Sequence, residues 1–126
     1  MIRENDIKWL DSYSLPPGAK MAVIEGTVNE AVPFMIRLKF PADYKIPPHC
    51  HPAIEHITVL HGTINMGIGE KLDLLKTNEL PEGSVMIIQP NTYHFLWTKE
   101  ESILQLHGVG PWEIAYFNKE EEPMKK

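Results

Sequence analysis

The chain has 126 residues, of which 43% are hydrophobic and 23% charged, so it resembles an average globular domain rather than a disordered segment or a disulfide-stapled miniprotein. Its formal net charge of −5 and its lack of a basic cluster argue against nucleic acid or anionic lipid as the main partner and favour a small molecule. The single cysteine, Cys50, and the absence of a signal-peptide pattern or an apolar run of about 20 residues predict a cytoplasmic protein without a membrane segment.

Short apolar segments separated by prolines and glycines predict many strands and few helices. A short N-terminal extension comes first, helical if Ile2, Ile7 and Leu10 dock on the core. Residues 34–40 alternate strictly between apolar and polar side chains, as expected of a half-buried strand. In chain order, the predicted strands are 21–26, 34–40, 56–60, 63–68, 84–89, 94–98, 103–107 and 113–117. Eight short strands predict one all-β domain over 1–126, with a barrel core at about 20–118 and a flexible tail at 119–126.

Two histidines and a glutamate occur close together in the segment 49–55. His49 and His51 are two residues apart, so they share a face of an extended strand, and Glu55 shares it too if the extended path persists. His94 begins a second predicted strand after the Pro90-Asn91 turn. We therefore expect these four side chains to point into one barrel interior.

Three neutral imidazoles and one carboxylate form a mixed nitrogen and oxygen ligand set. Such a set suits Fe, Mn, Ni, Zn or Cu as a divalent ion and discriminates poorly among them. On an octahedral ion, four protein ligands leave two positions for water, substrate or dioxygen, which is typical of catalytic sites. The pattern predicts one divalent transition metal at His49, His51, Glu55 and His94.

The spacing His49-x-His51-x3-Glu55-x6-Gly62 resembles the first sequence motif of the cupin superfamily. The segment from Gly83 to His94 resembles the second cupin motif in length and apolar pattern. The chain departs from these motifs at four positions. Two of them usually carry glycine in cupins: Asp43 opens the first motif, and Asn91 lies in the turn of the second. In addition, Gln89 replaces a usual proline, and Thr98 stands where an asparagine is often found. Asn and Asp tolerate the left-handed conformation, so both turns can be kept.

The resemblance implies a double-stranded β-helix, or jelly-roll barrel, with the metal near one mouth. It also implies a homodimer, because similar one-barrel cupins often form one. Cupins include dioxygenases, isomerases, decarboxylases, sugar epimerases and non-enzymatic binding or sensing domains, so the fold alone does not determine the activity.

Two hypotheses for function follow. The first is a metal-dependent enzyme acting on a small organic molecule, with an oxygenase as the leading subclass and an isomerase next; its catalytic residues beyond the metal ligands stay unidentified. The second is a non-catalytic module that binds metal and a small ligand, favoured by the lack of an identifiable general acid or base outside the four ligands. Candidate pocket residues are Met66, Leu96 and Gln105. Gln105 qualifies only if its face of the strand 103–107 points inward, since the other phase buries Leu104 and Leu106.

Overall fold

The computed structural model of the protein describes residues 1–123 and consists almost entirely of β-strands. The strands are β1 (Leu10–Asp11), β2 (Lys20–Glu25), β3 (Pro33–Phe40), β4 (Tyr44–Cys50), β5 (Glu55–His61), β6 (Thr63–Ile68), β7 (Asn78–Pro81), β8 (Val85–Ile88), β9 (His94–Thr98), β10 (Ser102–Val109) and β11 (Ala115–Tyr116). One sheet has the order β1-β2-β3-β10-β5-β8 and the other the order β11-β4-β9-β6-β7, with every pair antiparallel. This architecture confirms the predicted all-β jelly-roll barrel.

The hydrophobic core lies between the two sheets because each strand turns its apolar residues inward. In β3, Phe34 and Phe40 are buried, whereas Arg37 on the opposite face is only half-buried. In the neighbouring β10, Leu104 and Leu106 are 1% and 2% exposed and contribute to the same core. Full burial of such a side chain stabilises the fold by roughly 1.5–3 kcal/mol. The alternation therefore determines which face of each strand points into the barrel.

The sequence pattern does not predict three of the strands: β1, β4 and β7. β4 contains Pro47 and Pro48, which are typical of a turn because proline lacks the backbone N–H that a strand ladder needs. In the structure, the pairing of β4 with β9 shifts register between Ile46 and His49, so the irregularity falls at the two prolines. His49 consequently lies near the end of a strand rather than in a turn.

The N-terminal extension does not form the helix that was considered for it. The segment contains a single 3-10 turn, Glu4–Asp6, followed by β1 at the edge of the larger sheet. Ile2 and Leu10 are 55% and 71% exposed, so these two side chains do not dock on the core. None of the helices in residues 1–123 is long and apolar enough to cross a membrane.

The tail predicted over 119–126 begins with a second 3-10 helix, Lys119–Glu121, whose side chains are exposed. Asn118 caps this helix by accepting a hydrogen bond from the backbone N–H of Glu120 at 3.1 Å. Residues 124–126 of the predicted tail lie outside the described part of the chain.

Candidate metal centre

Four candidate ligands from three parts of the chain meet between the two sheets. His49 in β4 is the register partner of His94 in β9, and their ring centroids are 4.2 Å apart. His51 lies in the connection after β4, with its ring 5.0 Å from His49 and 5.3 Å from His94. One nitrogen from each of the three rings lies within 4.8 Å of the others. Glu55 begins β5, and all four side chains belong to residues that are only 2–3% exposed.

The route by which Glu55 reaches the histidines differs from the single extended path expected from the sequence. β4 ends at Cys50 in the smaller sheet, and the chain crosses over before β5 begins at Glu55 in the larger sheet. Glu55 therefore approaches the histidines from the opposite sheet, and the parity of the segment 49–55 is not what brings them together. The candidate site connects the two sheets of the barrel.

All three imidazoles are held in the same tautomer by backbone carbonyl groups. The Nδ1 atoms of His49, His51 and His94 lie 2.7, 2.8 and 2.9 Å from the carbonyl oxygens of Pro47, Glu113 and Thr92, respectively. A carbonyl oxygen can only accept, so each Nδ1 carries a proton and donates it. In the neutral ring, the Nε2 atom then has a free lone pair. Hydrogen bonding of the outer ring nitrogen is the usual way in which proteins orient a metal-binding histidine.

Burial keeps these rings uncharged. It lowers the pKa of His49 well below the ordinary value, helped by repulsion from His94 and His51. It also lowers the pKa of His51 to about 3, with a further contribution from His94, and lowers the pKa of His94. A neutral imidazole is the form that binds a metal ion, so these histidines are in the binding form at neutral pH.

The carboxylate of Glu55 faces the free nitrogens of two histidines. Its Oε1 lies 3.3 Å from Nε2 of His94, and its Oε2 lies 3.4 Å from Nε2 of His51. Oε2 also accepts a hydrogen bond from the indole Nε1 of Trp112 at 2.9 Å, whereas Oε1 is buried with no hydrogen-bond partner among the described residues. Burial raises the pKa of Glu55 to about 7, and the Trp112 hydrogen bond partly counteracts that rise.

This arrangement fits a divalent cation. The Nε2 atoms and the carboxylate oxygens of the ionised site are all acceptors, so they lack a favourable contact with one another, and a buried acceptor without a partner is costly. A cation between them would satisfy the lone pairs of all four residues, and its charge would favour the ionised form of Glu55. The three histidines are therefore suited to hold a metal ion, and Glu55, whose oxygens face His51 and His94, is a fourth candidate ligand.

The chain was compared with protein-family models, curated protein sequences and solved structures, and only the solved structures are similar to it. No protein-family model and no curated protein sequence matches the chain. Among solved structures, the polyketide cyclase RemF from Streptomyces resistomycificus superposes with a TM-score of 0.74 at 16% identity, covering 92% of this chain and 83% of that one. An RmlC-like cupin from Shewanella frigidimarina gives a TM-score of 0.68 at 13% identity, covering 85% and 86%. The chain has the cupin fold.

An oxalate oxidase is a third structural relative, with a TM-score of 0.62 and 23% identity. The alignment covers 83% of this chain but only 58% of the oxidase. At these identities the similarity extends to the fold, while the activity depends on the residues of each site. The two glycine positions where this chain departs from the cupin motifs keep the expected turn geometry, since Asp43 and Asn91 have φ values of 55° and 59°.

The sequence reasoning missed two aromatic residues that pack against the candidate ligands of this cupin-fold barrel. Trp112 stacks on His51 with a centroid distance of 4.7 Å and an interplanar angle of 15°. Tyr116 in β11 lies 5.9 Å from His49 by ring centroids. The signal in the sequence was the tryptophan at the entry to the last strand. A buried indole N–H needs a hydrogen-bond acceptor, and in the structure Glu55 is that acceptor. In the structure, the segment 108–112 brings Trp112 onto the site.

The three candidate pocket residues have different positions. Met66 and Leu96 are register partners in β6 and β9, are 1% and 4% exposed, and belong to the hydrophobic core inside the barrel. The prediction that Gln105 lines the pocket is wrong, because β10 buries Leu104 and Leu106 and so turns Gln105 to the outer face. There its Oε1 accepts a hydrogen bond from Nε of Arg37 at 3.0 Å.

Proposed function

We propose that the protein binds one divalent transition metal through His49, His51, Glu55 and His94 and acts with it on a small organic molecule. The observation that carries this proposal is a cluster of three Nδ1-protonated imidazoles, two of which, those of His51 and His94, face the buried carboxylate of Glu55. A metal bound there would supply Lewis-acid or dioxygen-activating chemistry. The ligand set leaves Fe, Mn, Ni, Zn and Cu as candidates.

The chain's own residues would prepare the site for that role. The backbone carbonyls fix each imidazole before binding, so little reorganisation is needed to present the three Nε2 lone pairs. Glu55 would neutralise one positive charge of the ion while its Oε2 keeps the hydrogen bond from Trp112. Burial of all four residues excludes bulk water and strengthens each electrostatic contact.

An oxygenase remains our first choice of enzyme subclass, with an isomerase as the next. Support comes from the names of two structural relatives, an oxalate oxidase and a polyketide cyclase, which are enzymes on the same fold. This support is by analogy, because one fold carries many chemistries.

A second candidate function is a metal-containing module that binds a small ligand without turnover. The filling of the barrel favours it: Met66 and Leu96 pack in the core, and the four candidate ligands are 2–3% exposed. A substrate would have to reach the ion past Trp112 or through another opening of the barrel. A protein that only retains a metal, or that binds its ligand away from the ion, has no such requirement.

We further propose that the chain is one cupin domain over 1–126 and works as a cytoplasmic homodimer without nucleic acid as a partner. The hydrophobic core, which includes residues from Leu15 to Tyr116, supports a single domain. The single cysteine, Cys50, is buried and has no intrachain partner for a disulfide, which agrees with a cytoplasmic location. Light scattering of the purified protein would test the dimer.

Metal analysis tests the central claim. Protein purified after incubation with each of the five metals, and then freed of loosely bound ions, is expected to hold about one equivalent of its preferred metal per chain. The His51→Ala variant should hold much less. His61→Ala is the matched control, because His61 is exposed at the end of β5 and should leave the metal content unchanged. Wild-type protein with less than about a tenth of an equivalent, when one ion should fill the four-ligand site, would refute the proposal.

Turnover distinguishes the two candidate functions. The metal-loaded protein is mixed with a panel of small organic acids, and oxygen consumption and products are followed. Many product molecules per chain, lost in His51→Ala and kept in His61→Ala, would support an enzyme. Saturable binding of one ligand per chain, without product in any of these reactions, would support the binding module.

A further inference from the structure

A cavity of about 420 Å³ lies beside the candidate metal centre, against residues at the edge of the hydrophobic core. Residues from both ends of the chain line it, among them Tyr13 and Ser14 before β2 and Glu122 after β11. Trp112 and Tyr116 line the same cavity and also contact His51 and His49. These two aromatic side chains therefore form a wall that the cavity and the metal centre share. The volume falls within the usual range for small-molecule sites, roughly 300–1,000 Å³.

The lining combines aromatic rings with negative charge. Tyr13, Trp112 and Tyr116 are aromatic, and Glu113 and Glu122 are acidic. The described residues that line the cavity include no lysine, arginine or histidine. Met21, Val28 and Ile114 add apolar surface. An anionic ligand would meet only like charge here, whereas a cation with an apolar body would match every part of the lining.

Contacts inside the wall fix the aromatic rings in place. The hydroxyl of Tyr116 donates a 2.7 Å hydrogen bond to the backbone carbonyl of Ser14, so its polar end is already satisfied. Trp112 donates its indole N–H to Glu55. The Trp112 indole N–H and the Tyr116 hydroxyl are therefore both hydrogen-bonded already, so a ligand would contact the rings of these residues. Trp112 and Tyr116 are 5% and 8% exposed, so only the small part of each ring that lines the cavity can contact a ligand.

The negative charge reaches this aromatic wall. Burial raises the pKa of Tyr116, and the carboxylate of Glu122 raises it further through charge repulsion. Glu122 and Tyr116 line the same cavity, which places the carboxylate on the same side as this ring of the wall. Aromatic rings beside a carboxylate are the recognition chemistry of ammonium groups, because both the ring face and the carboxylate attract positive charge.

We propose that this cavity binds a small organic cation, an alkylamine or a quaternary ammonium compound, with its charged end near Glu122 and the rings of Trp112 and Tyr116. The site does not depend on the proposed metal, although the shared wall would bring a bound cation next to it. The two chain ends that enclose the cavity thereby gain a role beyond covering the barrel.

The test compares choline with 3,3-dimethylbutan-1-ol, which has the same shape but no charge. Binding to wild-type protein is measured by isothermal titration calorimetry in the presence of a chelator, so that no metal is required. Choline is expected to bind at least about tenfold more tightly than the neutral compound, since charge is the only difference between them. Equal affinities, or no saturable binding of choline at concentrations up to about 100 mM, would overturn the proposal.

Matched variants locate the site. Glu122→Gln keeps the size of an exposed side chain and should weaken choline binding by about threefold to tenfold while leaving the neutral compound unaffected. Glu82→Gln, in the turn before β8, is the control and should bind choline as wild type does. If Glu122→Gln also binds choline as wild type does, the cation lies elsewhere and the proposal fails. Metal content measured on the same preparations separates this outcome from failure of the proposed metal site.

Discussion

Replacing Trp112 by phenylalanine tests whether the indole positions the carboxylate of Glu55, the fourth candidate metal ligand. The substitution keeps an aromatic ring beside His51 but removes the N–H that donates to Oε2 of Glu55 at 2.9 Å. After the change, neither oxygen of this buried carboxylate would have a hydrogen-bond donor, because Oε1 already lacks one among the described residues. The perturbation is therefore confined to one hydrogen bond and a small loss of ring volume.

The size of the effect follows from the kind of bond that is lost. A hydrogen bond to a charged group contributes about 1.5–3 kcal/mol, and its loss here would raise the pKa of Glu55 beyond about 7. A proton would then compete more strongly with the metal, and the carboxylate would be less well oriented. We expect the metal affinity at neutral pH to fall by about 10- to 100-fold, as is typical when a partner of a metal ligand is removed.

The assay is competition against a chelator of known affinity, with the metal that wild-type protein retains. Trp97→Phe is a matched control, because its indole Nε1 also donates a hydrogen bond, at 3.2 Å to Oγ1 of Thr77. The control should lose stability without losing metal affinity. If Trp112→Phe binds metal as tightly as Trp97→Phe does, the indole does not position Glu55 and the reasoning is refuted.

Three further predictions concern stability. Metal-free protein should lose stability as the pH falls through 6.5. The pKa of His51 is about 3 in the folded protein and 6.5 ordinarily, so below pH 6.5 the unfolded chain binds a proton there and the folded protein does not. From pH 6.5 to about pH 5 this difference lowers the free energy of unfolding by about 2 kcal/mol. Glu55, whose pKa is raised from 4.5 to about 7, has the opposite effect, since its contribution is lost as the pH rises from 4.5 through 7. The lowered pKa values of His49 and His94 act in the same direction as that of His51, so the net loss at low pH remains. Denaturant titrations with chelator should show a smaller loss in His51→Gln, and an equal loss would contradict the assignment. Gly62→Ala should lower the free energy of unfolding by about 2 kcal/mol or more, because φ is +74° and a Cβ would collide with the Ser102 side chain. Gly83→Ala, where φ is +90° but the space is open, should lower it by about 1 kcal/mol. Equal losses in the two variants would exclude the collision. Asn91→Gly should leave the free energy of unfolding nearly unchanged, whereas Asn91→Ala should lower it by about 1 kcal/mol, since φ is 59°; a tolerated alanine in thermal melts would argue against this.

Local periodicity made much of the fold predictable. Strict alternation located β3, which has one buried and one less buried face. β6 and β9 were predicted with their observed bounds from short apolar segments between turn residues, and both are buried along most of their length. β4 escaped prediction because Pro47 and Pro48 interrupt the pattern, and only pairing with β9 across a register shift makes that segment a strand. The short edge strands β1 and β7 carry too few residues to show a period at all.

The sequence brought the four candidate ligands together as a set but did not show how they meet. Motif spacing picked out His49, His51, Glu55 and His94, yet it could not show that Glu55 faces His51 and His94 from the opposite sheet. Trp112 could not be linked to Glu55 from sequence, because the contact joins residues 57 positions apart through tertiary packing. Gln105 illustrates the other limit: both phases of β10 place a plausible residue inward, and the packing of Leu104 and Leu106 decided between them.

The buried cluster of His49, His51, Glu55 and His94 is hard to explain as a stabilising feature of the barrel. Elsewhere the interior is filled by side chains such as Phe40, Ile36 and Val59, which gain free energy on burial. In the cluster, burial instead opposes the charged forms of His51 and Glu55, moving the pKa of the first down and that of the second up. Apolar residues of similar size would avoid this cost, since a buried polar group without a partner is destabilising. A site that departs from the packing rule obeyed by its surroundings is expected where function requires it, and a bound cation would convert the same contacts into favourable ones.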